Sequence, residues 1–362
     1  MALPAVMLGI GLVVGQVLYG MLGSRVGLRR LAACGSLAML LCAIAAACVV
    51  VLGNFWMYCA AKLAMAVPFG MLYSMGYSMP RLARNKELRQ TAAGGVKRTD
   101  TSAAILGTVL GGYAAQGLGD AGVYALVAAV SVLLIVLVFG LIPKGTKPLE
   151  AIAQAEQVRG SIVQFAKAPT VWALAIFILM PATVAAGYAS FLFPIFSSDL
   201  GLAKPDVNNI VVLGQVVVYA CITGIEHLEG RYGRWKVSLV AVALMGVVFL
   251  LFSVKTTLVW SVAVIALVGL LAKMADGWRG MWVGAAEATG IPAGQASGAM
   301  LATRSLALVA QPFILGALLG ATDSAAVTVI GALCLLCAVA FFFATRRSFL
   351  TSSQNGEEAL AR

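Results

Sequence analysis

Charge is what this chain has least of. Only 11% of its 362 residues are Asp, Glu, Lys or Arg, against 61% that are hydrophobic, whereas a soluble domain carries about a quarter of its residues charged. That composition excludes a water-soluble fold. The one histidine, His227, and seven dispersed cysteines leave no Cys, His and carboxylate cluster at metal-ligand spacing, so no metal or other cofactor is expected. Cys334 and Cys337 form a CxxC, but inside an apolar run, and no disulfides are indicated. A GxxxxGK[ST] phosphate loop is missing, which argues against ATP-driven pumping. No nucleophile and base pair stands out, so the chain is not read as an enzyme. Nor are there the short alternating strands of a membrane β-barrel.

What is present is a succession of long apolar runs. A helix needs about 20 such residues to cross roughly 30 Å of hydrocarbon. Runs fall near 4–22, 31–52, 55–79, 102–119, 121–143 and 171–195, then near 208–227, 237–254, 257–280, 293–320 and 324–345. They predict an all-α polytopic membrane protein of about eleven transmembrane helices.

Lys and Arg set the orientation, because cationic loops resist translocation. Placing the turn at 23–30 in the cytoplasm puts 21 of the 25 cations on that side, leaving Lys204 and Lys255 opposite and Lys62 and Arg304 within spans. The net charge of +11 thus reports topology and not nucleic-acid binding. A multi-pass plasma-membrane protein with a cytoplasmic C-terminus is expected. An odd number of spans then puts Met1 outside, and no signal peptide accounts for it.

The cationic turn occurs twice. GMLGSRVGLRR at 20–30 and LEGRYGRWK at 228–236 align Arg25, Gly27 and Arg30 with Arg231, Gly233 and Lys236 at a constant offset of 206. Glycine permits a sharp reversal and the cations hold it on one side. Two homologous halves are expected: 1–143 and 171–347, joined by a cytoplasmic linker at 144–170 and followed by a tail at 348–362. In the linker, Ile152, Val158, Ile162 and Phe165 recur at near-helical spacing.

The doubled turn resembles the major facilitator superfamily of secondary transporters, whose hallmark is G-x-x-x-D-R-x-G-R-R between helices two and three, echoed between eight and nine. Gly20, Arg25, Gly27, Arg29 and Arg30 match the first copy; Arg231, Gly233 and Arg234 match the second. The family's aspartate is replaced by Ser24 and Gly230, with Glu226 and Glu229 near the second. The resemblance implies two pseudo-symmetric six-helix bundles and identifies the first span with family helix two. A preceding helix is therefore expected to be missing, through a truncated gene, a misplaced start codon or a trimmed chain.

By the resemblance, helices one, four, seven and ten line a cavity, while three, six, nine and twelve face lipid. Charge in hydrocarbon is costly and marks function or pairing. The spans assigned to helices three, six, nine and twelve carry none. Arg304 sits too deep to snorkel, with Ser297 and Gln311 seven residues to either side on one face. Lys62 shares a stripe with Tyr58, Phe69 and Tyr73, and Gln215, Tyr219 and Glu226 form another with Asn208. Asp276 and Arg279, with Lys273, form a coupling cluster or a local ion-pair network. Glycine pairs four apart, such as Gly11 with Gly15 and Gly107 with Gly111, mark close helix crossings.

A secondary transporter working by alternating access is expected. Its basic mid-membrane residues favour a small organic anion or polar metabolite, with a coupling ion as second partner and a monomer as the working unit. A proton-coupled drug exporter and a non-transporting sensor, scaffold or inactive fragment stay open as alternatives.

Overall fold

The computed structural model describes residues 2–23, 26–79, 86–142, 144, 167, 169–199, 201, 202, 204–254, 257–279, 281, 282, 293–318 and 323–360. Arg25 and most of the expected linker lie outside them. Among the described residues there is no strand. The first helices are α1 (Ala2–Leu22), α2 (Leu28–Leu52) and α3 (Phe55–Ser78). A helical run, Lys86–Leu141, would be about 84 Å long if straight, far more than one crossing needs. Gly119 breaks it at φ 69°, ψ −173°, a conformation open essentially to glycine alone, giving α4 (86–118) and α5 (120–141).

The second half begins with α6 (169–199), in which two π-helical segments, Ala175–Leu179 and Tyr188–Leu192, join three α-helical pieces. It continues with α7 (Lys204–Tyr232), α8 (Arg234–Val254), α9 (Leu258–Ala275), α10 (Ala293–Leu318) and α11 (Asp323–Leu360). Ten described helical runs are long and apolar enough to cross a membrane, and the one at Gly94–Leu141 holds both α4 and α5.

Local chemistry sets several boundaries. The Asn54 side chain accepts from the Met57 N–H at 3.0 Å and starts α3. Thr257 does the same for Trp260 at the start of α9. Gly233, at φ 83°, makes the reversal between α7 and α8 that its place in the cationic turn predicts.

The helices form two bundles of matching plan. In the first, α1 and α2 both pack on α3, and α2 packs on the 86–141 run through α5; in the second, α7 and α8 pack on α9, and α8 on α11. The bundles meet along two further seams, α1 against α10 and α4 against α7. Each contact has its counterpart six helices on, which is the pseudo-symmetry that the repeated turn announced. Lipid tails are as apolar as leucine, so such seams depend on close backbone approach. A Cβ on Gly11 or Gly15 would strike the carbonyl oxygens of Leu63 and Val67 in α3, and one on Gly246 would lie 2.8 Å from the Gly331 carbonyl oxygen in α11. Gly107 and Gly111, read from spacing as a crossing pair, face open space, and Gly112 meets Asn208 instead.

One boundary differs from the sequence reading with consequences for the site. Residues 86–101 were expected to belong to a loop before a span at 102–119, yet they are the first turns of α4. Their charges lower local hydropathy, yet Lys97, Arg98 and Asp100 pair with the other bundle and are not solvated in a loop.

Candidate functional site in the seam between the bundles

At the end of the bundles that carries the cationic turns, side chains of α3, α4, α9 and α10 converge. Arg304 lies about 16 Å along α10, counted from Ala293. Its Nη1 donates to the Tyr73 hydroxyl of α3 at 2.7 Å, and its guanidinium sits 6.0 Å from the Tyr73 ring centroid. Tyr73 donates to Asp100 Oδ1 at 3.2 Å, and Tyr77 donates to Asp100 Oδ2 at 2.9 Å. Lys273 of α9 reaches the same carboxylate at 3.3 Å. Tyr73, Tyr77 and Asp100 belong to the first bundle; Lys273 and Arg304 belong to the second.

Asp276 and Arg279 follow directly on α9. Arg279 Nη2 lies 3.1 Å from Asp276 Oδ2, Lys273 Nζ lies 3.9 Å from the same oxygen, and the Arg279 guanidinium stands 4.7 Å from the Tyr77 ring centroid. The Asp276 carboxylate thus has two cations of its own segment within 4 Å.

A second tier of pairs ties α4 to α7. Lys97 Nζ donates to both oxygens of Glu229, at 2.9 and 3.2 Å, and Arg234 approaches Glu229 at 3.8 Å. Arg98 pairs with Glu226 at 3.0 Å. Glu229 is 8% exposed, and Lys97 and Arg234 are its cationic partners. Removing one member of such a pair costs about 3–5 kcal/mol, far more than the pair itself contributes. Between the two tiers lies a small cleft lined by Lys97, Ile222, Ile225, Glu226 and Lys273.

The motif residues divide by role. Gly20 is buried where α1 crosses α10, against Gly298, where a Cβ would lie 3.3 Å from the Gly20 Cα. Gly27 precedes α2 in an extended conformation. Arg29 donates to the Phe139 carbonyl at 3.1 Å and stacks over that ring at 5.2 Å, fastening α2 to the end of α5. Arg30 is exposed, and Arg231 stacks on neighbouring Tyr232.

Other residues singled out by sequence do not join the cluster through the contacts they make. The Lys62 ammonium sits over the rings of Tyr58 and Tyr124, 5.5 and 5.2 Å from their centroids, entirely within the first bundle. Tyr58 and Lys62 therefore stay together, as their stripe predicts, while Tyr73 of the same stripe turns to Arg304 and Asp100. Gln311 is buried against Gly187 of α6, and Ser297 is buried beside the Gly298 crossing. On α7, Asn208 and Glu226 face α4, the Gln215 side-chain oxygen is buried without a hydrogen bond, and Tyr219 is exposed.

Asp100 is the residue that sequence reasoning missed. A signal for it existed. Gly94, Thr99, Asp100 and Thr101 lie 204 residues before Gly298, Thr303, Arg304 and Ser305. The structure confirms that register, since Gly298 abuts Gly20 while Gly94 abuts Glu226, the position 206 residues after Gly20. Asp100 and Arg304 are thus equivalent positions of opposite charge.

The chain matches the family model described as Major Facilitator Superfamily over residues 1–312. The crystal structure of the human organic anion transporter MFSD10 (TETRAN) is similar in fold, with a TM-score of 0.71 and 16% identity, covering 94% of this chain and 83% of that one. Comparison with curated proteins gives no significant match. With two bundles of matching plan, a doubled cationic turn and a family match across most of its length, the chain belongs to the major facilitator superfamily, a family of secondary transporters.

Proposed function

We propose that this protein carries a small organic anion across the membrane by alternating access, the two bundles rocking about a site near the bilayer midplane. The observation that carries the reading is Arg304, a cation deep in the seam whose hydrogen-bond partner belongs to the opposite bundle. A transported anion that reaches it meets a charged donor and a tyrosine hydroxyl that separate when the bundles part. The similarly folded human protein is described as an organic anion transporter, which accords with this chemistry.

Every charged side-chain bridge between the bundles described above lies toward the cationic end. Taking that end as cytoplasmic, in keeping with the charge asymmetry, the conformation is closed to the cytoplasm. Arg304, Tyr73, Lys273 and Asp100 form the inner tier of the closure, and Lys97 with Glu229 and Arg98 with Glu226 form the outer tier. The C-terminus then lies in the cytoplasm of a plasma-membrane protein.

The experiment is uptake and counterflow of labelled organic anions in proteoliposomes. Saturable uptake that falls on Arg304→Ala is the expected result, and equal uptake with and without the Arg304 side chain would remove the anion assignment. A proton-linked exporter keeps one observation in its favour, since Asp100 is a titratable carboxylate in the seam. Drug efflux driven by an imposed pH gradient, with no anion uptake, is the result that reading requires.

A further inference from the structure

The ions of the inner tier do not all belong to the same bundle, and their division has a consequence for the moving protein. Asp276 and Arg279 sit on one segment and stay paired as ions, 3.1 Å apart, wherever that segment goes. Arg304 and Lys273 also stay with the second bundle. The carboxylate beneath them, Asp100, is held 3.3 Å from Lys273 and is linked to Arg304 through Tyr73, yet it travels with the first bundle. Parting the bundles at this end therefore withdraws one anion from two cations. With the seam parted, the two cations face the opening with one carboxylate fewer, and a free anion that enters can take the place Asp100 has left.

We propose that the Asp100 carboxylate is the resting occupant of the Arg304 and Lys273 cation site, a tethered anion whose place a free small monocarboxylate takes when the seam opens. A monocarboxylate reproduces what Asp100 supplies, one negative charge on two oxygens, accepting from the Lys273 ammonium while the seam is open and from the Tyr73 and Tyr77 hydroxyls as well once it closes. The opposite-charge equivalence of Asp100 and Arg304 in the two halves points the same way. One half carries the cation that binds substrate, and the other carries a built-in stand-in for it. Net charge at the site is then the same in two states, the closed empty carrier, which holds Asp100, and the carrier open at this end and loaded, which holds the substrate. This inference rests on the transport reading for its direction of motion and deepens it by naming the substrate's charged group.

The test reads conformation directly. Spin labels at Leu141→Cys and Phe343→Cys, both exposed and outside the cluster, report the spacing of α5 and α11 near the cationic end, on a background with the seven native cysteines replaced. Asp100→Ala is expected to lengthen that distance. Added acetate is expected to shorten it again, with half of the effect at millimolar concentration, the range that a ligand of so few atoms reaches. Acetamide, of the same shape without charge, leaves it long, and Asp100→Glu keeps the wild-type distance. Asp100→Asn, which preserves volume, gives the same lengthening and carries the first arm if the alanine variant does not fold. An unchanged distance in both neutral variants would overturn the inference, as would equal action of acetate and acetamide. The transport reading fails separately, on wild-type uptake: acetate re-closure without any organic-anion uptake upholds the tethered anion and removes the transported one.

Discussion

Arg304 and Tyr73 are joined by a 2.7 Å hydrogen bond although 231 residues separate them and each belongs to a different bundle. The bond can exist only while the seam is closed at the cationic end. Its donor is charged and the bond is part-buried, so it contributes about 1.5–3 kcal/mol. Arg304→Ala is expected to weaken substrate binding by roughly 10–100-fold, measured as the concentration for half-maximal uptake. Arg304→Lys, which keeps the charge but not the fork of donors, falls between.

The outer tier gives a charge-swap prediction. Lys97→Glu places two carboxylates together beside Arg234 and opens the cationic end, seen as increased labelling of thiols placed there. Glu229→Lys alone does the same. The double variant restores the pair and the wild-type labelling, and a double variant as open as either single one would show that the two residues do not act as a pair.

Gly15 is a packing prediction. Its Cα faces the Val67 carbonyl so closely that any side chain displaces α3, and Gly15→Val is expected to cost about 1–3 kcal/mol, read as a lower melting temperature in detergent. Gly107→Ala, at a position facing open space, leaves that temperature within about a degree or raises it. The pair of variants separates real crossings from glycine spacing alone.

Lys62 tests the division between site and scaffold. Its ammonium is held by two aromatic rings inside one bundle, so Lys62→Met is expected to lower stability by about 1 kcal/mol while half-maximal uptake stays within about twofold of wild type. A large rise in that concentration would return Lys62 to the binding site.

Much of the plan was legible because the membrane simplifies it. Apolar length, the side on which cations accumulate and the doubled glycine turn each follow from the bilayer acting as solvent, and the apolar length and the repeat reappear in the helices and their matching contacts. The site was legible only in part. Arg304, Lys273, Asp276 and Arg279 stood out as charges inside or beside apolar runs. Asp100 did not, because the residues before it are charged enough to read as a loop. A shared face on one helix does not say which neighbour covers each of its turns, so the stripes left open that Lys62 also meets Tyr124 and that Gln311 meets Gly187.

What the amino-acid sequence determined by itself was the solvent, the number of crossings, the repeat and the deep placement of one arginine, all properties of single segments against a uniform medium. Which side chain meets that arginine, which glycines touch a neighbour and which end of the seam carries the ion pairs between bundles were decided only by the tertiary structure. Each of those depends on the approach of helices hundreds of residues apart, and the energies involved belong to pairs and not to segments.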